Sequence, residues 1–256
     1  MTEKTMQYKR PTSMDEARAL KQQFGDKAKL LFGGTFQPKL EEELEVLIDL
    51  QKAGLDVVEW NESGLQIGGL ATLKSLEESL ELQEFSEALS IEYGLNVRNT
   101  LSLTNFLAQT NGRSPVLCCL LGLNARVVLL NRNEEILLAT YMEEKTQEDP
   151  VIQIRIPEVL NLAFESVARS AKDLPIVCVS VAKSGDGSVH VSVGGVCKLI
   201  PGFTLKNDDG QEKIKAILAN AEDEWASAEY RQEVGAVLLS RALLKLHLEA
   251  GLQETK

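Results

Sequence analysis

Few positions in this chain have the types and spacing to do chemistry, and the most informative of them are glycines. In Lys29-Leu-Leu-Phe-Gly-Gly-Thr-Phe36 a β-rich run breaks into Gly33-Gly34. Two adjacent residues without Cβ let the backbone turn sharply and bring its N–H groups close to a bulky anion, commonly a phosphate. A strand-ending glycine pair is also an ordinary turn, so this one gains meaning only from its surroundings. The other chemical residues are sparse. His190 sits in an alternating strand pattern and His247 near the end of a helix, neither with a nucleophile or ligand at motif spacing, so both read as structural or exposed. Cys118 and Cys119 are adjacent while Cys178 and Cys197 stand alone. They make no Cys-x-x-Cys zinc or iron–sulfur arrangement and read as buried, reduced thiols. No Gly-x-x-x-x-Gly-Lys-Ser/Thr loop and no Gly-x-Gly-x-x-Gly after a first strand occurs, which leaves a kinase, an ATPase or a conventional Rossmann dehydrogenase without support. Gly194-Gly195 reads as a strand-end bulge or turn, and the carboxylates of Glu41–Glu43 and Glu222–Glu224 as solvated faces.

The elements that must position the glycine pair can be read from local pattern. Ser13 and Glu16 form a Ser-x-x-Glu capping box, Ala17, Leu20 and Phe24 recur at helical spacing, and Gly25 closes the helix. Ala28–Phe32, Val46–Leu50, Asp56–Trp60 and Leu65–Leu70 are short apolar runs with the lengths of strands. A helical stretch follows over Leu73–Tyr93. The segment Arg98–Ala108 starts as a loop and ends in a helix, and Ala125–Leu130 and Ile136–Tyr141 read as strands. Polar residues from Glu143 to Pro150 suggest a border, with an N-terminal region over residues 1–149 and a C-terminal domain over residues 150–256. Beyond it lie four β-rich runs, Val151–Ile156, Ala163–Ala168, Ile176–Ala182 and Val189–Val196, expected as a meander with a hairpin at Asp186-Gly187. Helices are expected over Lys213–Ala219 and Ala228–Leu248. The fold class is α+β.

Composition narrows the function classes. A chain of 256 residues, 44% apolar, buries a substantial core in one large or two modest domains. Its 38 acidic against 27 basic residues, net charge −11, disfavour a nucleic acid or an anionic membrane as partner. The first ten residues lack the apolar core of a secretory signal, and no run approaches the roughly 18 apolar residues of a membrane span, so the expected location is cytoplasmic.

Several separate motifs stand in one order: Tyr8 to Leu20, Lys29 to Thr35, Val46 to Leu50, Leu65-Gln-Ile-Gly-Gly-Leu-Ala-Thr-Leu73, Asn96 to Ala108, Lys172-Asp-Leu-Pro-Ile-Val177 and Ser227-Ala-Glu-Tyr-Arg231. In that order and spacing the chain resembles the FAD-binding subunit of molybdenum hydroxylases, the group containing xanthine dehydrogenase and carbon monoxide dehydrogenase, from about Met6 to about Leu246. The resemblance implies an N-terminal FAD-binding region of two small α+β subdomains and a C-terminal antiparallel sheet with helices. It also implies an electron-transfer role beside an iron–sulfur subunit and a molybdopterin subunit, with NAD or another acceptor, in a xanthine dehydrogenase-like complex.

In that family two glycine-rich loops grip the FAD, one of Ala-Gly-Gly-Thr-Asp type and one of Thr-Ile/Leu-Gly-Gly-Asn type. Carried over, the cofactor-binding positions are Lys29, Leu30, Leu31, Phe32, Gly33, Gly34, Thr35 and Phe36 in the first loop and Ser102, Thr104, Asn105 and Phe106 in the second. The first loop keeps its glycines and threonine while Phe36 replaces the acid. In the second, Thr104 and Asn105 replace both glycines, Phe106 replaces the asparagine, and Pro115 falls where an aspartate is usual. A Cβ drives the backbone away from positive φ, and each lost charge-assisted hydrogen bond removes about 1.5–3 kcal/mol. Phe32, Phe36 and Phe106 could offer aromatic surface to the flavin instead. Two readings stay open: an FAD-dependent oxidoreductase subunit, and a structural subunit of such a complex that has lost FAD.

Overall fold

The computed structural model describes residues 6–33, 44–132, 134–144, 149–171, 173–196, 202–206 and 209–253. Strand β1 (Gln7–Lys9) leads into helix α1 (Met14–Phe24). Ser13 is extended and its hydroxyl accepts from the Glu16 N–H at 3.2 Å. The Glu16 carboxylate reaches back one residue further than a capping box requires, to the Thr12 N–H at 2.8 Å. Strands β2 (Ala28–Leu31) and β3 (Val46–Asp49) then join β1 in a parallel sheet ordered β1-β3-β2. Ala17 of α1 is fully buried in one cluster with Ala28, Val46 and Ile48, which seats the helix on this sheet.

A second sheet forms the middle of the molecule. Strands β4 (Val58–Asn61) and β5 (Gly64–Gly68) make a hairpin, followed by helices α2 (Leu73–Leu80) and α3 (Gln83–Glu92). The single helical stretch expected over Leu73–Tyr93 is thus two helices, because Glu81 takes a left-handed conformation, φ 53°, and ends the first. Helices α4 (Leu95–Arg98), α5 (Leu103–Gln109) and α6 (Pro115–Gly122) come next, then β6 (Arg126–Leu129), β7 (Glu135–Leu137) and α7 (Leu138–Glu144). The strand expected over Ile136–Tyr141 ends at Leu137. Leu138 and Tyr141, three apart and both buried, put one helical face on the core. Strand β8 (Val151–Ile156) inserts between β5 and β6, completing the order β4-β5-β8-β6-β7.

Val151–Ile156 therefore belongs to this middle sheet and not to the expected meander. Its partners lie some 90 and 25 residues back along the chain, a pairing that local pattern does not encode. The meander is built instead from β9 (Val159–Val167), β10 (Val177–Ser184), β11 (Val189–Gly194) and β12 (Phe203–Leu205), each antiparallel to the next. The hairpin at Asp186-Gly187 forms as expected, with the Asp186 carboxylate accepting from the Ser188 N–H at 2.9 Å. Helices α8 (Gly210–Leu218) and α9 (Ala228–Gln253) close the chain. Strand β10 is buried along nearly its whole length because α9 covers one face and α6 the other, which is why Val177–Ala182 is apolar at every position except Ser180. The chain is an α+β protein with an antiparallel C-terminal sheet.

Candidate functional site

The first glycine segment sits at the carboxyl edge of the parallel sheet, where open α/β sheets commonly receive ligands. Lys29, Leu30 and Leu31 are half-buried in β2, paired with Leu47, Ile48 and Asp49 of β3, and hold the loop rather than form it. Phe32 follows in the core with 8% of its surface exposed. Gly33 has φ 86°, a left-handed backbone that disfavours any residue with a Cβ, although a Cβ there would touch nothing nearer than Leu70 Cδ2 at 3.8 Å. Conformation, not space, demands the glycine. Gly34, Thr35 and Phe36 lie outside the described residues.

The second segment meets the first through one atom. Ser102, extended at φ −72° and ψ 153°, caps α5, and its Oγ accepts from the Asn105 N–H at 3.4 Å. The same hydroxyl donates to the Phe32 carbonyl at 3.0 Å, and Asn105 Nδ2 donates to that carbonyl at 2.9 Å. Sequence separation gave no sign of this contact, yet it ties the end of β2 to the start of α5. Ser102, Thr104 and Asn105 are all buried.

The backbone donors at the start of α5 are fully engaged. Leu103 N–H goes to the Ala71 carbonyl at 3.0 Å, Thr104 N–H to the Gly69 carbonyl at 2.9 Å, and Phe106 N–H to the Ser102 carbonyl at 2.8 Å. The Thr104 hydroxyl turns inward, its single proton shared between the Val151 carbonyl at 2.6 Å and the Gly69 carbonyl at 3.0 Å. A Cβ on Gly69 would lie 2.3 Å from that hydroxyl oxygen, so the close approach of the two segments depends on glycine there. The Phe106 ring has no exposed surface and packs edge-on against Tyr93, centroids 6.1 Å apart, so it faces the core.

Pro115 opens α6, where Ser114 caps the helix by accepting from the Leu117 N–H at 3.0 Å. The Ser114 hydroxyl donates to Glu92 Oε2 at 2.5 Å. Burial pushes the Glu92 carboxyl up from its ordinary value, against the opposing pull of Ser114, Tyr93 and the Val116 N–H. Burial first, and the neighbouring Glu92 second, raise the Tyr93 phenol as well.

One charged constellation escaped the sequence reading. Asp223 is not part of a solvated acidic face: Arg231 Nη2 holds its Oδ1 at 2.6 Å and Arg113 Nη2 its Oδ2 at 3.2 Å. The Arg113 guanidinium also stacks 3.7 Å from the centre of the Trp225 ring. The only signal was Arg231 at the end of Ser227-Ala-Glu-Tyr-Arg231, and arginine is so seldom fully buried that composition argues the other way. His190 is a strand residue between Ser188 Oγ at 3.1 Å and Thr204 Oγ1 at 3.2 Å, and burial lowers its imidazole from the ordinary value. Cys118, Cys119 and Cys178 are free and buried, while Cys197 lies outside the described residues. Among the described residues no cluster of three His, Cys, Asp or Glu side chains has the arrangement to hold a metal ion. No helix among them is long and apolar enough to cross a membrane.

Comparison with known proteins bears on both segments. The YgfM protein of Escherichia coli (strain K12), itself uncharacterized, is 26% identical over 247 residues, covering 91% of this chain and 93% of that one. Among solved structures, a chain of reconstituted CO dehydrogenase from Oligotropha carboxidovorans superposes with a TM-score of 0.69 at 20% identity, covering 95% of this chain and 98% of that one. A chain of quinoline 2-oxidoreductase from Pseudomonas putida 86 does so with a TM-score of 0.66 at 16% identity, covering 96% and 98%. At such identities the structural likeness is one of fold, and it runs almost end to end. Residues 4–159 match the family described as the FAD binding domain in molybdopterin dehydrogenase. Because that match takes in both of the segments that meet at Phe32, the chain belongs to this family of FAD-binding oxidoreductase domains.

Proposed function

We propose that the chain is the flavin-carrying subunit of a molybdenum hydroxylase, working beside an iron–sulfur subunit and a molybdopterin subunit, with NAD or another acceptor taking the electrons. When bound, FAD supplies the redox chemistry, linking the one-electron traffic of clusters to a two-electron acceptor. The chain's own residues bind and orient it. The observation that carries this reading is the Phe32–Gly33 turn. It stands at the carboxyl edge of a parallel sheet, with a left-handed glycine, inside the stretch that matches the FAD binding domain.

The residues fit the cofactor on one side. Gly33 supplies a left-handed backbone suited to a turn around a diphosphate, and it remains a proposed contact together with Gly34 and Thr35, which follow it in the sequence. Across from it, Ser102, Thr104 and Asn105 spend their donors inside the protein, so their proposed part is to place the first loop. Phe106 supports them from the core.

A xanthine dehydrogenase-like complex with a purine substrate is the finer part of the proposal and rests on the motif resemblance alone. The fold neighbours are named for carbon monoxide and quinoline, and the molybdenum chain would set the substrate. A second reading, a subunit that keeps the fold without flavin, is favoured by the sealed start of α5. Purification of the assembly from its native source through this chain separates the two. The expected result is co-purification of an iron–sulfur chain and a large molybdopterin chain, with flavin absorbance. Partners without flavin would favour the second reading, and a chain that is consistently alone would contradict both.

A further inference from the structure

Helix α9 is apolar on two faces. Leu238, Leu239, Ala242 and Leu246 are buried at helical spacing and seat it on the meander. The outer face carries a second stripe: Tyr230, Val237 and Leu244 recur every seven residues and are 42%, 50% and 62% exposed. Large apolar side chains in one line along a helix make the seam that another helix covers. A groove between α8 and α9 runs beside the stripe and leaves it open. The charges set into the stripe decide what covers it. Glu233 stands one turn before Val237 and Arg241 one turn after, both exposed and on the same face. The two are about 12 Å apart along the helix axis, too far to pair with each other. Among the described residues neither is in an ion pair.

The stripe is self-complementary when reversed. A two-fold axis crossing the helix at Val237 lays a second α9 antiparallel on the first, so that a position before Val237 meets the position equally far after it. Val237 then meets Val237, Tyr230 meets Leu244, and Glu233 meets Arg241. Apolar faces apolar and negative faces positive in each of these pairs. A parallel pair would instead set Glu233 against Glu233 and Arg241 against Arg241, and a different chain gives no reason for a placing symmetric about Val237. We infer that this face is an isologous interface between two copies of the chain, with α9 packed antiparallel on α9 through Val237. The inference stands apart from the flavin reading, since none of these residues belongs to either glycine segment.

The test is sedimentation equilibrium of the purified full chain over a dilution series. Wild type is compared with Glu233→Arg, Arg241→Glu, the double exchange and Val237→Glu, with circular dichroism to check that each is folded. The expected result is a reversible wild-type dimer whose dissociation constant rises about tenfold or more with either single exchange, because each sets two like-charge pairs across the axis. The double exchange should return it to near the wild-type value. Val237→Glu, which places two carboxylates against each other on the axis, should be a monomer. A wild type that is monomeric at every concentration overturns the inference, as it would if a different chain covers the face. A dimer that survives Val237→Glu overturns it by putting the interface elsewhere. Single exchanges without effect, or a double exchange no tighter than the singles, overturn the antiparallel pairing.

Discussion

Arg231 closes on Asp223 from inside the protein. Its guanidinium has no exposed surface, Nη2 lies 2.6 Å from Asp223 Oδ1, and Nη1 donates to the Gly195 carbonyl at 3.1 Å. The pair fastens the start of α9 to the turn after β11, and Arg113 on the other carboxylate oxygen extends it to the loop before α6. Removing one partner strands the other charge in the interior, so Arg231→Met is expected to cost about 3–5 kcal/mol in urea unfolding. A cost within error of zero would contradict this. Burial by itself would raise the Asp223 carboxyl, but the Trp225 N–H and the Arg231 and Arg113 charges outweigh it and hold the group below its ordinary 3.8. A carboxyl lowered on folding stabilises above its unfolded value of about 3.9, and the contribution is lost as pH falls through the lower folded value. Asp223→Asn should therefore flatten the acid limb of the stability profile, and an unaltered limb would show that the carboxylate is not what titrates there.

Thr104 stands where a family loop has glycine, yet its hydroxyl faces Val151 and Gly69 rather than the gap beside Phe32. Thr104→Val takes the hydroxyl donor from the buried Val151 carbonyl, while Gly69 keeps the Thr104 N–H, and is expected to cost about 1–3 kcal/mol of stability. Thr104→Ser, which keeps the hydroxyl, should restore most of it. FAD affinity is expected to be the same in all three proteins. A selective loss of flavin in Thr104→Val at unchanged stability would make this hydroxyl a cofactor contact.

Division of the chain into two domains is a proposal, and the pairing of β8 with both β5 and β6 favours a border after Ile156 over one at Asp149–Pro150. A truncation ending at residue 149 leaves two strands of the middle sheet with an open edge, whereas one ending at residue 157 keeps them paired. The longer piece is expected to unfold cooperatively and the shorter to aggregate. Equal cooperativity in the two would support the border at residue 149. Leu162, Phe164, Cys178 and Ala182 of the meander share a core with Leu65, Phe85 and Ile154, so the longer piece should still be less stable than the whole chain.

What was legible in the sequence was local. Ser13 and Glu16 announced α1 because a cap is written within four residues, and Asp186-Gly187 announced its hairpin because turn chemistry needs no distant partner. The break at Glu81 was hidden, since glutamate carries no preference for left-handed backbone. Long-range facts were hidden for another reason. The placement of β8, the burial of Arg231 and the Asn105–Phe32 contact each join positions far apart in the chain, and periodicity cannot report them. For the site, residue types showed which glycines were missing from the second segment. They did not show that Thr104 and Asn105 would turn their polar atoms onto the protein's own carbonyls.

We propose that this chain holds FAD from the Gly33 turn. Equilibrium titration of FAD into the purified chain, wild type against Gly33→Val, tests it most directly. Valine is strained at φ 86°, so the turn must change shape even though the space beside it is open. The expected result is saturable binding of one flavin per wild-type chain and little or none by a Gly33→Val protein whose circular dichroism shows it still folded. Wild type that takes up no FAD, or a folded Gly33→Val that binds it as wild type does, would contradict the claim.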